Sequence, residues 1–316
     1  MDTLLHKASG LINQEHDLVA ELLAGRRSHN TRHAYERDLL DFFMVVAGEQ
    51  PHPDIVKKFL DLSRYHAIAL VLQYKSSLID RGLKESTVNR RLAAIKALVN
   101  YARSLGLIDW SLADIKSEKV TPYRDTTGVS PDAFSLMLQV PDLETLKGLR
   151  DYAILRLLWD NVLRRAEISQ TSVGDFDAAG RSLRIYGKGK GTQAQKITLS
   201  AKATEAIQQW LLMRGKTKVK EPLFIALDRA NYGHRLTGTG IYKIVRLCAE
   251  KAGIEKLLSP HRIRHSGITA ALEATGGDVR KVQKLSRHAN INTLMIYDDN
   301  RANLQKEVTD LLSLIV

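Results

Sequence analysis

Residues 259–266 read SPHRIRHS, and this stretch decides the architecture of the second half of the chain. Ser259 is a good helix cap and Pro260 a good first helical residue, because proline lacks the N–H that a helix start leaves unused. A helix opening here carries His261 and Arg264 three residues apart, on one face and close to its N-terminus. Such an end already favours an anion, so a histidine and an arginine converging on it predict a phosphate site. His261 and His265 also stand at the spacing of a zinc pair. No glutamate occupies the HExxH position, and two neighbouring arginines would oppose a dication, so metal is not expected.

Working outward, more basic groups appear in order. Arg164 and Arg165 follow the apolar run 149–160 (LRDYAILRLLWD), with Glu167 three residues past Arg164. Lys188 and Lys190 alternate with Gly187, Gly189 and Gly191 at the tip of a strand–turn–strand pattern over 182–199. This tip lacks the GK[ST] ending of a nucleotide-binding loop. His288 precedes Tyr297 by nine residues in KLSRHANINTLMIYDD. A phenol is a weak nucleophile at neutral pH unless cations assist it, and a phosphodiester repels nucleophiles until its charge is neutralised. Arg164, Lys188, His261, Arg264, His288 and Tyr297 supply both needs.

Bulk properties agree. With 316 residues and 44% hydrophobic content, the chain is long enough for two domains with a sizeable core. A net charge of +12 points to a polyanionic partner, most simply nucleic acid. Residues 1–120 balance 17 basic against 15 acidic residues, whereas 121–316 hold 30 against 20, so the attraction lies mostly in the second half. The single cysteine, Cys248, excludes an internal disulfide and reads as a core residue. The N-terminus has no signal-like apolar region and no apolar run reaches ~18 residues, so no membrane contact is expected and the expected location is the cytoplasm, with access to DNA.

The first ~110 residues read as helices. Ser28 caps one over about 30–47, with Tyr35, Leu39, Phe42, Phe43 and Val46 as its apolar face and Pro51 and Pro53 ending the segment. Another covers 64–81, and a third, capped by Ser86, carries the stripe Val88, Leu92, Ile95, Leu98, Val99 and Ala102. The other face of that third helix holds Asn89, Arg90, Arg91 and Lys96, which with Arg32 are candidate DNA contacts. Periodicity fades over 111–130, read as a linker, and further helices are expected near 201–214, 238–252, 260–275 and 278–287. Lys243 and Arg246 on the 238–252 helix are candidate DNA contacts of the second half. In the tail, 301–315, Leu304, Val308, Leu311, Leu312 and Ile315 share one face.

Together these motifs resemble the tyrosine recombinase (phage integrase) family, in its simple two-domain form, over nearly the whole chain. The HxxRH box is His261-Arg262-Ile263-Arg264-His265, and the arginine box, usually GLRxSE, is Val162-Leu163-Arg164-Arg165-Ala166-Glu167. The GKG hairpin is Gly187-Lys188-Gly189, and the usual LGH is Ser286-Arg287-His288, followed by Tyr297. Thr31-Arg32-His33-Ala34-Tyr35 and Ser86-Thr87-Val88-Asn89-Arg90-Arg91-Leu92 look like the family's core-binding domain. Two departures stand out. Val162 replaces a glycine, and Ser286-Arg287 replaces Leu-Gly, with Arg287 an added candidate DNA contact.

The resemblance implies a mainly α fold with a small β-sheet, in which two domains clamp DNA: a helical core-binding domain at 1–110, a linker at 111–130 and an α+β catalytic domain at 131–316 ending in an oligomerisation helix at 301–315. It implies that Arg164 and Arg264 grip the scissile phosphate while Tyr297 forms a 3′-phosphotyrosyl bond. Lys188, favoured over Lys190, protonates the leaving 5′-oxygen, His261 assists the phenol, and His288 hydrogen-bonds the phosphate, with Glu167 and His265 in support. Two rounds of exchange through a Holliday junction then recombine two duplexes, in integration and excision or in dimer resolution. No cofactor is implied. The implied partners are a double-stranded DNA site, a homotetramer on two sites and possible accessory proteins, in a bacterial, DNA-associated setting. A type IB topoisomerase or telomere-resolving enzyme of the same chemistry, or a catalytically silent DNA-binding protein on the same fold, are the alternatives.

Overall fold

The computed structural model describes residues 17–120, 128–187, 193–298 and 304–315, with side chains described except at 296–298 and 304–308. The chain divides into two compact units, Met1–Pro122 and Tyr123–Val316. The first contains helices α1 (Leu18–Ala24), α2 (His29–Ala47), α3 (Pro53–Leu60), α4 (Arg64–Asp80) and α5 (Glu85–Ser104). Ser28 and Ser63 cap α2 and α4 through their side chains. The core is apolar and aromatic: Leu39, Phe42 and Phe43 from α2 are fully buried, with Phe59, Tyr74, Leu92, Ile95 and Leu98 packed around them.

Three expectations for this unit need correction. The prolines after α2 do not only end it. α2 stops at Gly48, in a left-handed conformation (φ +72°), and Pro53 then serves as the first residue of α3. α5 begins at Glu85 with Lys84 at its cap position, not with Ser86. The stretch 111–120 is not all linker. Trp110, Leu112 and Ile115 are buried in the first core, and the strap they anchor is tied to α4 and α5. The Asn89 side-chain amide bonds both backbone groups of Glu118, donating to its carbonyl at 2.9 Å and accepting from its N–H at 2.7 Å. Lys96 donates to the Ile115 carbonyl (2.6 Å), and Lys75 to the Lys116 carbonyl (3.0 Å) and the Glu118 carboxylate (2.6 Å).

The second unit is helical around a three-stranded antiparallel sheet in the order β1 (Phe176–Asp177), β2 (Ser182–Tyr186), β3 (Ala194–Thr198). Leu183 pairs with Ile197 and Ile185 with Gln195, and the two apolar β2 residues point into the core. The helices are α6 (Pro131–Gln139), α7 (Leu146–Asp160), α8 (Arg165–Gln170), α9 (Ala201–Arg214), α10 (Gly238–Lys251), α11 (Pro260–Ala274), α12 (Val279–Ser286), α13 (Asn292–Asp298) and α14 (Leu304–Ser313). Trp210 of α9 is fully buried with Leu157 and Leu158 of α7, and Cys248 of α10 lies in the same core. A smaller core of Val162, Ile268, Leu272, Val282 and Leu294 knits α11, α12 and α13 to the turn after α7. It positions the candidate site. No described helix is long and apolar enough to cross a membrane.

Candidate active site

The site grows from the N-terminus of α11. Ser259 caps it by accepting from the Arg262 N–H at 3.2 Å, and Pro260 is its first residue, as the sequence predicts. Ser266, about two turns further along, accepts the Val129 N–H at 2.8 Å and so pins the start of the second unit to this helix. Arg264 points inward and is 2% exposed. Its guanidinium donates to the carbonyls of Val162 and Ser286 and lies 3.2 Å from His288 Nε2. Two fixed carbonyls aim its guanidinium, a planar fork of donors suited to an anionic oxygen.

Arg164 occupies the cap position of α8. Its backbone N–H donates to Glu167 Oε2 (2.8 Å) and its guanidinium to Oε1 (2.7 Å), while its own side chain stays 34% exposed. A buried carboxylate thus steers a solvent-reaching guanidinium. Burial alone would raise Glu167, but the charge of Arg287 and the bonds from Arg164 hold its carboxyl below the usual range.

His261 and His265 meet through their Nε2 atoms at 2.7 Å, with the rings edge to face. One of the two must donate and the other accept, so the pair shares a proton position. Burial and the surrounding cations depress all three histidines: His261 falls below its usual range, and His265 and His288 fall to about 4. They are neutral at pH 7, the state in which an imidazole can accept a proton. Among the described residues no His/Cys/Asp/Glu group is suited to hold a metal.

The structure therefore brings Arg164, Glu167, His261, Arg264, His265 and His288 together. Tyr297 lies on α13, whose Leu294, one turn earlier, is fully buried in the small core with Val162; the phenol itself lies outside the described side chains. Lys188, and Lys190 with it, lie outside the described residues.

Arg287 corrects an expectation. It does not face outward as a DNA contact: its side chain is 7% exposed and donates to Glu167 Oε2 at 3.0 Å. The signal was visible as a charged residue in place of a motif glycine, but its partner lies 120 residues away.

The candidate DNA contacts divide. Asn89 and Lys96 hold the strap, and Arg91, 16% exposed, bonds Asp41 inside the first unit, so these three serve the fold. Arg90 pairs with the buried Asp38 yet stays 39% exposed. Arg32 is exposed and donates to the Arg26 carbonyl. Lys243 is exposed and Arg246 half-buried on α10, with no partner among the described residues.

Residues 130–303 match the phage integrase family, and residues 17–106 match the phage integrase N-terminal SAM-like domain. A tyrosine recombinase of Synechocystis sp. (strain PCC 6803) is 54% identical over 310 residues, covering 98% of each chain. Another, of Synechococcus elongatus, is 50% identical over 300 residues, covering 95% of this chain and 94% of the other. Among solved structures, the Tn1549 transposon integrase in complex with transposon right-end DNA aligns with a TM-score of 0.65 at 17% identity, over 95% of this chain and 99% of that one. The XerH site-specific recombinase bound to a palindromic difH substrate aligns at 0.64 and 19%, over 89% of this chain and 80% of that one. With both domain families matched in order and half the residues shared across the full length of these relatives, this chain belongs to the phage integrase family, the tyrosine recombinases.

Proposed function

We propose that the chain cuts and rejoins double-stranded DNA at specific sites through a 3′-phosphotyrosyl intermediate on Tyr297. The observation that carries this reading is the convergence of two arginines from separate segments, Arg164 and Arg264, with the neutral histidines His261 and His288, beside the small core that anchors the Tyr297 helix. Arg164 and Arg264 grip the non-bridging oxygens of the scissile phosphate and stabilise the charge that grows on them in the transition state. Tyr297 attacks phosphorus, its proton passes to His261, and the P–O bond to the 5′-oxygen breaks, with Lys188 supplying the proton to that oxygen. His288 hydrogen-bonds the phosphate, and Glu167 and His265 orient Arg164 and His261. The link to tyrosine conserves the bond, so a 5′-hydroxyl from a partner strand reverses the step. A homotetramer on two sites, passing through a Holliday junction, completes the exchange. Arg32, Arg90, Lys243 and Arg246 contribute phosphate contacts.

Covalent trapping tests this. A nicked suicide duplex built from the DNA flanking the gene is incubated with wild-type protein and with Tyr297→Phe, and both are run on denaturing gels. A protein–DNA adduct with wild type alone is expected. An adduct formed by Tyr297→Phe, or none by wild type on any flanking fragment, would overturn the reading.

A further inference from the structure

Arg287 stands where the family motif carries glycine, and its backbone keeps the conformation a glycine would take, with φ +59° at the end of α12. A non-glycine residue is disfavoured there, so its side chain must contribute something that offsets the strain. Its guanidinium reaches three separate places. It donates to Glu167 Oε2 (3.0 Å), to the Leu285 carbonyl (2.7 Å) and to the Asn161 carbonyl at the end of α7 (3.3 Å). Its chain neighbours engage the other arginine: the Ser286 carbonyl accepts from Arg264, and the His288 ring lies 3.2 Å from it. Glu167, 2% exposed, is thereby shared between Arg164 and Arg287.

We infer that Arg287 is a positioning residue: by sharing Glu167 with Arg164, it locks Arg164, Arg264 and His288 into one rigid frame around the scissile phosphate. With one cation, Glu167 would neutralise Arg164. With two, the trio keeps a net positive charge, and the exposed Arg164 retains its attraction for phosphate. This inference rests on the site reading proposed above.

The charged groups facing Glu167 are Arg164 from its own turn and Arg287 from the loop after α12. Removing Arg287 takes away one of these two positive charges, so the Glu167 carboxyl rises. A carboxylate needed in its ionised form then fails at a higher pH as the solution is acidified.

The test is single-turnover adduct formation on a suicide duplex across a range of pH, with DNA affinity and thermal unfolding measured in parallel. Wild type and Tyr297→Phe serve as controls. Arg287→Gly should slow cleavage on the order of tenfold to a hundredfold with DNA affinity nearly unchanged, and shift the acid limb of the rate profile to higher pH. Arg287→Lys should recover most of the rate and return the limb, whereas Arg287→Met, similar in bulk and uncharged, should not. Glu167→Gln with Arg287→Gly should be no slower than Glu167→Gln alone. If Arg287→Gly does not fold, the Lys and Met variants carry the test. An unmoved acid limb, losses that merely track thermal stability, or full additivity with Glu167→Gln would overturn the inference. Absence of an adduct with wild type would instead bring down the proposed function on which it stands.

Discussion

At the scale of single residues, the site is built on two positions where the chain has side chains in a backbone that favours glycine. Val162 has φ +42° and is fully buried in the small core, and its carbonyl aims Arg264. A β-branched residue is strained there, but its methyl groups fill space that Gly267 leaves open across α11. A Cβ on Gly267 would sit 2.8 Å from Val162 Cγ1 and 3.1 Å from the Trp159 carbonyl oxygen. Gly267→Ala should therefore destabilise the second unit by about 1–3 kcal/mol, and adding Val162→Gly should recover part of that loss. Urea unfolding of the single and double variants measures this; strictly additive losses would contradict the packing argument. The histidines give a second expectation. His265 and His288 titrate near 4 in the folded chain, against a usual 6.5. Between those values the unfolded chain binds more protons than the folded one, so stability falls as pH is lowered from about 6.5 towards 4. Unfolding midpoints across that window should show the fall, and His265→Asn should flatten it.

At the scale of elements, helix faces and the Ser28 and Ser259 caps were legible, whereas the start of α5 and the long-range partners were not. The Ser259-Pro260 start of α11, the apolar face of α2 and the stripe of α5 follow from local rules, because capping and 3.6-residue periodicity are written within a few residues. The order of Arg164, His261, Arg264 and His288 was legible too, since Arg164 caps α8, His261 and Arg264 lie near the start of α11, and His288 follows the end of α12. What stayed hidden depends on distant chain. Pro53 looks like a helix terminator until the next helix is seen to start on it. The polar face of α5 looks like a DNA-facing surface until Asn89 and Lys96 are seen to bind a strap 29 and 19 residues further on. This difference makes a prediction. Asn89→Ala should cost the first unit about 1–2 kcal/mol, since it unpairs two backbone groups of a part-buried strap. It should leave the salt dependence of DNA binding unchanged. Lys243→Ala should do the reverse, leaving thermal stability alone and reducing the salt slope by about one. Binding measured over a series of salt concentrations separates them; a reduced slope in Asn89→Ala would return that residue to the DNA interface.

At the scale of the whole molecule, charge and apolar surface are placed on different parts of the chain. The net +12 provides a sequence-independent attraction for duplex DNA, which weakens steeply with salt. The tetramer proposed above needs a contact surface between copies, and the described end of the tail offers an apolar one. Leu311, Leu312, Leu314 and Ile315 are 59–82% exposed on and just after α14. Four large aliphatic side chains in water, two on this short helix and two just after it, are an unfavourable arrangement unless another surface covers them, at roughly 25 cal/mol per Å² of area removed. In the proposed tetramer, a neighbouring protomer is the occupant that would cover them. Deleting residues 301–316 should then leave binding of one protomer to a half-site nearly unchanged, because the basic surface is intact. It should also abolish the slowly migrating complex of two duplexes and lower recombination far more than single-strand cleavage. Gel shift and sedimentation on paired sites read the assembly directly. A truncated chain that still pairs two sites would show that the tail packs on its own unit, and that protomers meet through another surface.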